Sequence, residues 1–91
     1  MKDTMARDID QIIERLKAEI PGVQVTQLPV AHPGADDEGL WFIKISGRLQ
    51  EVQIESSYGR CPFLIESDFS DERLQGLTVD EVVSTVKRLF A

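Results

Sequence analysis

The sequence predicts an α+β fold in two layers, ordered α-β-β-β-β-α, with both helices on one face of an antiparallel meander sheet. Three observations predict it. Two adjacent hairpins over residues 40–68 alternate apolar and polar side chains, and the alternation agrees in face across three strands. Residues 3–20 and the stretch after Leu77 each carry one apolar stripe at helical spacing. One apolar sheet face and two apolar stripes are all covered when both helices pack on the same side of the sheet.

The first helix is read over residues 3–20. Met5, Ile9, Ile12, Ile13, Leu16 and Ile20 form its stripe, and Arg7, Asp10, Glu14, Arg15 and Lys17 fall elsewhere. Pro21-Gly22 stops it, since neither residue continues a helix well. A short strand over residues 23–28 follows, with Val23 and Val25 on one face. Residues 29–39 are rich in Pro, Gly, Ala and Asp and read as a solvated connection. Loops of this length are uncommon in small domains and often functional.

In the next strand Trp41, Ile43 and Ile45 share a face. Gly47-Arg48 suits a two-residue type II′ turn. That turn sets Ser46 opposite Leu49, Lys44 opposite Glu51, Ile43 opposite Val52 and Trp41 opposite Ile54. Inner apolar residues then meet apolar partners, except Ile45 opposite Gln50, and Trp41 is expected to anchor the core. A second turn at Tyr58-Gly59 sets Ile54 opposite Phe63, Val52 opposite Ile65 and Ser56 opposite Cys61. A one-residue slip would send the whole inner set to water.

The last helix opens at Thr78. Thr78 and Glu81 make a capping-box pattern, and Leu77 is placed to staple onto Val82. Val79, Val82, Val83, Val86, Leu89 and Phe90 are its stripe. Lys87 and Arg88 in the last turn suit the helix dipole. Its four valines have weak helix propensity, so packing on the sheet must hold it.

A chain of 91 residues is expected to make one domain with a modest core. No apolar run approaches the roughly 20 residues that span a bilayer. The N-terminal residues lack an apolar signal region, and one cysteine excludes an internal disulfide framework. Cytoplasmic residence is the expectation. The net charge of −6 is spread along the chain, with one run at Asp36-Asp37-Glu38. Nucleic-acid binding, which rests on clustered Lys and Arg, is disfavoured. A basic protein partner, or solubility alone, fits the charge.

Candidate chemistry is sparse. Arg60 beside Cys61 suggests a lowered thiol pKa, but alternation turns Cys61 inward and the sole histidine, His32, sits in a distant loop. His32 with Asp36, Asp37 and Glu38 lacks metal-ligand spacing. Ser56, Ser57, Ser67 and Ser70 have no base in a recognisable arrangement. Glu51 is expected opposite Glu66, with Glu55 four residues along on the same face, where they would raise one another's pKa. No cofactor or metal is indicated.

The outer face of the sheet is the better candidate. Leu40, Phe42 and Leu64 project there with Pro62, beside Lys44, Glu51, Gln53, Glu55 and Glu66. Phe42, Gln53 and Leu64 are expected as immediate neighbours. An apolar patch rimmed by charge is a common form of interaction surface.

The stretch Val52-Gln53-Ile54-Glu55-Ser56-Ser57-Tyr58-Gly59-Arg60-Cys61-Pro62-Phe63-Leu64-Ile65-Glu66, then a helix opening Thr78-Val79-Asp80-Glu81, resembles small stand-alone bacterial proteins of uncharacterised function. The resemblance covers about half the chain and transfers no function. The element order is also similar to double-stranded-RNA-binding domains and to small secretion chaperones. The first comparison fails on chemistry, because Thr78-Val79-Asp80-Glu81 stands where that family carries a basic cluster. The second fits the acidity and a dimer-ready surface, as fold-level analogy.

The reading that follows is a non-enzymatic, acidic protein-interaction module, a small chaperone, immunity or adaptor-like protein. It would bind another protein, or a second copy weakly, through the outer sheet face, and neither nucleic acid nor membrane. The alternative is a small enzyme or ligand-binding domain using Cys61 or the loop over residues 29–39.

Overall fold

The elements follow one another as α1 (Asp8–Glu19), β1 (Val23–Gln27), β2 (Leu40–Ile45), β3 (Glu51–Glu55), β4 (Phe63–Ser67), β5 (Ser70–Gly76) and α2 (Val79–Phe90). They come from a computed structural model that describes residues 7–27, 39–56 and 59–91. The sheet is an antiparallel meander in the order β1-β2-β3-β4-β5. The α+β meander expected from sequence is therefore present, with five strands in place of four. Among the expected features, residues 3–6 of the first helix, Leu28 of the first strand, residues 29–38 of the long loop and Tyr58 of the second turn lie outside the described residues.

Alternation fills the inner face. Trp41, Ile43, Val52, Ile54, Phe63 and Ile65 are all 3% exposed or less. Ile9, Ile12 and Leu16 of α1 and Val82, Val83, Val86 and Phe90 of α2 join them in one cluster, so both helices cover that face. Trp41 lies opposite Ile54 and sets its ring 6.2 Å from that of Phe63, tilted by 57°. This edge-biased geometry suits the quadrupoles of the two rings.

The β2–β3 register matches the expected one: Trp41↔Ile54, Ile43↔Val52 and Lys44↔Glu51. The turn is a different one. Arg48 N–H donates to Ile45 O at 3.0 Å, which places Ser46-Gly47 at the bend, one residue earlier than expected. Gly47 has φ +85°, the left-handed conformation that a type II turn requires at its third residue.

The β3–β4 register is shifted by two residues from the expectation. Ile54 faces Ile65, Val52 faces Ser67 and Gln53 faces Glu66. An even shift keeps every side chain on its face, so the apolar pattern cannot detect it. The connection over residues 56–62 is longer than a two-residue turn, and Ser56 Oγ closes it by donating to Arg60 O.

β5 was not expected at all. Ser-Asp-Glu-Arg-Leu-Gln-Gly offers a single apolar residue, Leu74, which packs half-buried against the core opposite Ile65. Its charges suit an edge strand. The strand ends at Gly76, where an added Cβ would stand 2.5 Å from Val82 Cγ2. Only a glycine lets the strand backbone run so close beneath α2.

α2 begins as read. Thr78 Oγ1 accepts from Glu81 N–H at 3.1 Å. Glu81 Oε1 accepts in return from Leu77 N–H at 2.7 Å, one residue before the cap. The expected staple of Leu77 on Val82 is not built: Leu77 is 60% exposed.

Candidate functional site

The strand register lays the outer face out in rows. One row runs Thr26, Phe42, Gln53, Glu66, Arg73. The next runs Leu40, Glu55, Leu64, Gln75. A third runs Gln24, Lys44, Glu51. Each candidate residue therefore projects from the face opposite the helices. Leu40, Phe42, Glu51, Gln53, Leu64 and Glu66 are half-buried, and Lys44, Glu55 and Pro62 are exposed.

Leu40, Phe42 and Leu64 stand apart from the core cluster and from the side chains packed against it. Leu40 and Leu64 flank Glu55 in one row, and Phe42 adjoins Gln53 in the next. Phe42 and Leu64 stand on β2 and β4 with β3 between them, and the two-residue shift sets Leu64 opposite Glu55 in place of Gln53, so Phe42, Gln53 and Leu64 are not the immediate neighbours expected.

The carboxylates are not paired as expected. The two-residue shift places Glu66 opposite Gln53, and Glu51 lies beside Asp68 instead. Asp68 Oδ1 accepts from Glu51 N–H at 3.0 Å. Glu66 Oε2 is 2.9 Å from Arg73 Nε on β5. The facing pair of carboxylates expected at Glu51 and Glu66 is therefore not formed. A shallow concavity of about 280 Å³ adjoins this corner, walled by Gln53, Glu66, Asp68, Asp71, Glu72 and Arg73. Sequence reasoning missed Asp71, Glu72 and Arg73 because it missed β5. Seven residues between a hairpin and a helix cap, closed by Gly76, were the one available signal.

Cys61 is half-buried and packs on the core, turned inward as expected. Its own N–H donates to Asp8 Oδ2 at 2.8 Å. Burial, and then the adjacent Asp8 carboxylate, push its thiol up to about 11. The sequence suggestion that Arg60 lowers this pKa is overturned in direction. A thiol held protonated is a poor nucleophile and a poor metal ligand. Among the described residues no group of three or more His, Cys, Asp and Glu is placed to hold a metal ion. His32, Asp36, Asp37 and Glu38 lie outside the described residues, as does Ser57.

No protein-family model, no curated protein and no solved structure matches this chain. No described helix is long and apolar enough to cross a membrane.

Proposed function

We propose that this chain is a non-enzymatic protein-interaction module, a small cytoplasmic chaperone, immunity or adaptor-like protein that binds through the outer face of its sheet. One observation carries the reading. Leu40, Phe42 and Leu64 sit on the face turned away from both helices, outside the core, among Glu51, Glu55 and Glu66. Apolar side chains give such a surface its affinity, and the charges around them select the partner.

The fitting partner is a protein with an apolar patch ringed by Lys or Arg. Arg73 is engaged by Glu66, so Lys44 is left as the cation within this set of rows while Glu51 and Glu55 stand beside the patch. A net charge of −6 opposes a polyanion. It also opposes a face-to-face pair of identical copies, which would bring like charges together.

The test is capture from native lysate with wild type and Phe42→Glu. Phe42 lies off the core, so the variant keeps its circular dichroism and thermal midpoint. A stoichiometric protein retained by wild type and lost by Phe42→Glu supports the reading. Equal capture by both, or a retained small molecule or metal in place of a protein, overturns it.

A further inference from the structure

We infer that the turn end of the sheet is a docking surface for a second copy of this chain, each copy seating its Leu49 in a cleft of the other about a two-fold axis. The contact lies away from the outer face and does not rest on it. The β2–β3 and β4–β5 connections and the C-terminal ends of both helices meet at this end. Arg48 of the first connection donates from Nη1 to Phe90 O at 2.5 Å, and Phe69 of the second sets its ring 6.4 Å from that of Phe90. Residues 19–22, 45–51, 67–70 and 87–91 build the end, and all of them are described. The described residues that border the remaining segments lie at the opposite end. Gln27 faces Trp41 at the start of β2, Gly39 O accepts from Ser56 N–H, and Gly59 lies close beside Arg7 and Ile9 at the start of α1.

Two features of this end answer each other. Leu49, just after the β2–β3 bend, is 95% exposed. Beside it opens a cleft of about 190 Å³ whose walls include Ile20, Pro21, Ile45 and Phe90, with Arg48 and Lys87. One exposed leucine is ordinary on a protein surface. Here it stands next to an apolar cleft with room for a leucine side chain. Both cations of the cleft are already engaged, Lys87 Nζ at 2.9 Å from Glu19 Oε1 and Arg48 on Phe90 O. What the cleft still gains on binding is therefore apolar contact, which suits a leucine better than an anionic ligand.

Geometry and charge both favour a second copy as the occupant. Leu49 directly follows Arg48, a wall of the cleft, so the projecting side chain and the cleft adjoin without overlapping. A two-fold axis between them seats both leucines at once, the self-complementary form of an isologous contact. Phe69, 38% exposed, extends the apolar area beside them. The side-chain charges of this end cancel, Arg48, Lys87 and Arg88 against Glu19, Glu51 and Asp68. The net charge of −6 thus belongs to the rest of the chain, and this end lets two copies approach with little repulsion.

Sedimentation across a concentration series, with wild type, Leu49→Met and Leu49→Asp, tests this. Leu49 stands almost clear of its own copy, so both variants keep their circular dichroism at low concentration. Wild type is expected to self-associate and Leu49→Met to do so about as well. Leu49→Asp is expected to associate at least about a hundredfold more weakly, because each contact loses the burial of two leucines. Amide spectra locate the contact: as wild-type concentration rises, the signals of Ile20, Ile45 and Phe90 are expected to move and those of Phe42 and Gln53 to stay. A wild type that stays monomeric throughout overturns the inference. So does association indifferent to Leu49→Asp, or association lost in Leu49→Asp with no movement at Ile20, Ile45 and Phe90. Association lost in Phe42→Glu but kept in Leu49→Asp places the contact on the outer face and also overturns it.

Discussion

Cys61 shows how an environment decides what a side chain does. Its neighbour in sequence is a cation, Arg60, but its neighbour in space is an anion, Asp8, whose carboxylate receives the Cys61 N–H. Burial disfavours the thiolate, and the negative Asp8 disfavours it further. The thiol moves from an ordinary 9.0 to about 11, which lowers the thiolate fraction at neutral pH about a hundredfold. Labelling by a thiol reagent at neutral pH should accordingly be about a hundredfold slower in the native than in the denatured chain, because the thiolate is the reacting species. Asp8→Asn should speed native labelling without unfolding. Native labelling as fast as in the denatured chain would remove this account and reopen Cys61 as a nucleophile. The inward turn of Cys61 was legible from alternation, since period two carries a face along a strand. Asp8 was not legible, because it stands 53 residues away in sequence and no local pattern reports a contact between a helix start and a loop.

At the level of the element, α2 was the most legible. Its start needs two residues at fixed spacing, Thr78 and Glu81, and both bonds form. With four valines of weak propensity, α2 depends on that start and on its buried stripe. Thr78→Ala should destabilise the protein by about 1 kcal/mol, read as a lower denaturant midpoint with an unchanged slope. An unchanged midpoint would show that packing alone holds the helix. The hairpins were half legible, for a physical reason. Alternation fixes the parity of pairing, and parity was right everywhere from Trp41 to Ile65. Register within that parity is set by turn length, and the connection over residues 56–62 is not the two-residue turn assumed for it. β5 was silent because an edge strand is held by ladder bonds to β4 and by Glu66–Arg73, with Leu74 alone facing inward. Missing it cost the candidate site one of its walls.

On the scale of the whole molecule, the two helices that begin and end the described chain are joined side by side. Asp80 pairs with Arg15, Arg15 Nε lies 3.0 Å from Glu19 Oε2, and Glu19 Oε1 lies 2.9 Å from Lys87 Nζ. This line of charge crosses from α2 to α1 and back, over the buried stripes that do most of the holding. Lys87, and then Arg15, hold the Glu19 carboxyl below its ordinary 4.5. A carboxyl depressed on folding stabilises the native state above its unfolded pKa, and that stability is lost as pH falls through the folded pKa. Glu19→Gln should therefore narrow the stability difference from wild type as pH drops from about 6 to about 3, leaving the two proteins alike at the acid end. The pairs are solvent-exposed, so the difference near neutral pH should be small and should shrink in salt. Thermal midpoints of both proteins across this pH range, at low and high salt, make the measurement. A difference that persists undiminished at low pH would mean that Glu19 acts by packing against the other helix and not by its charge, and the two-helix layer would then owe nothing to this ionic line.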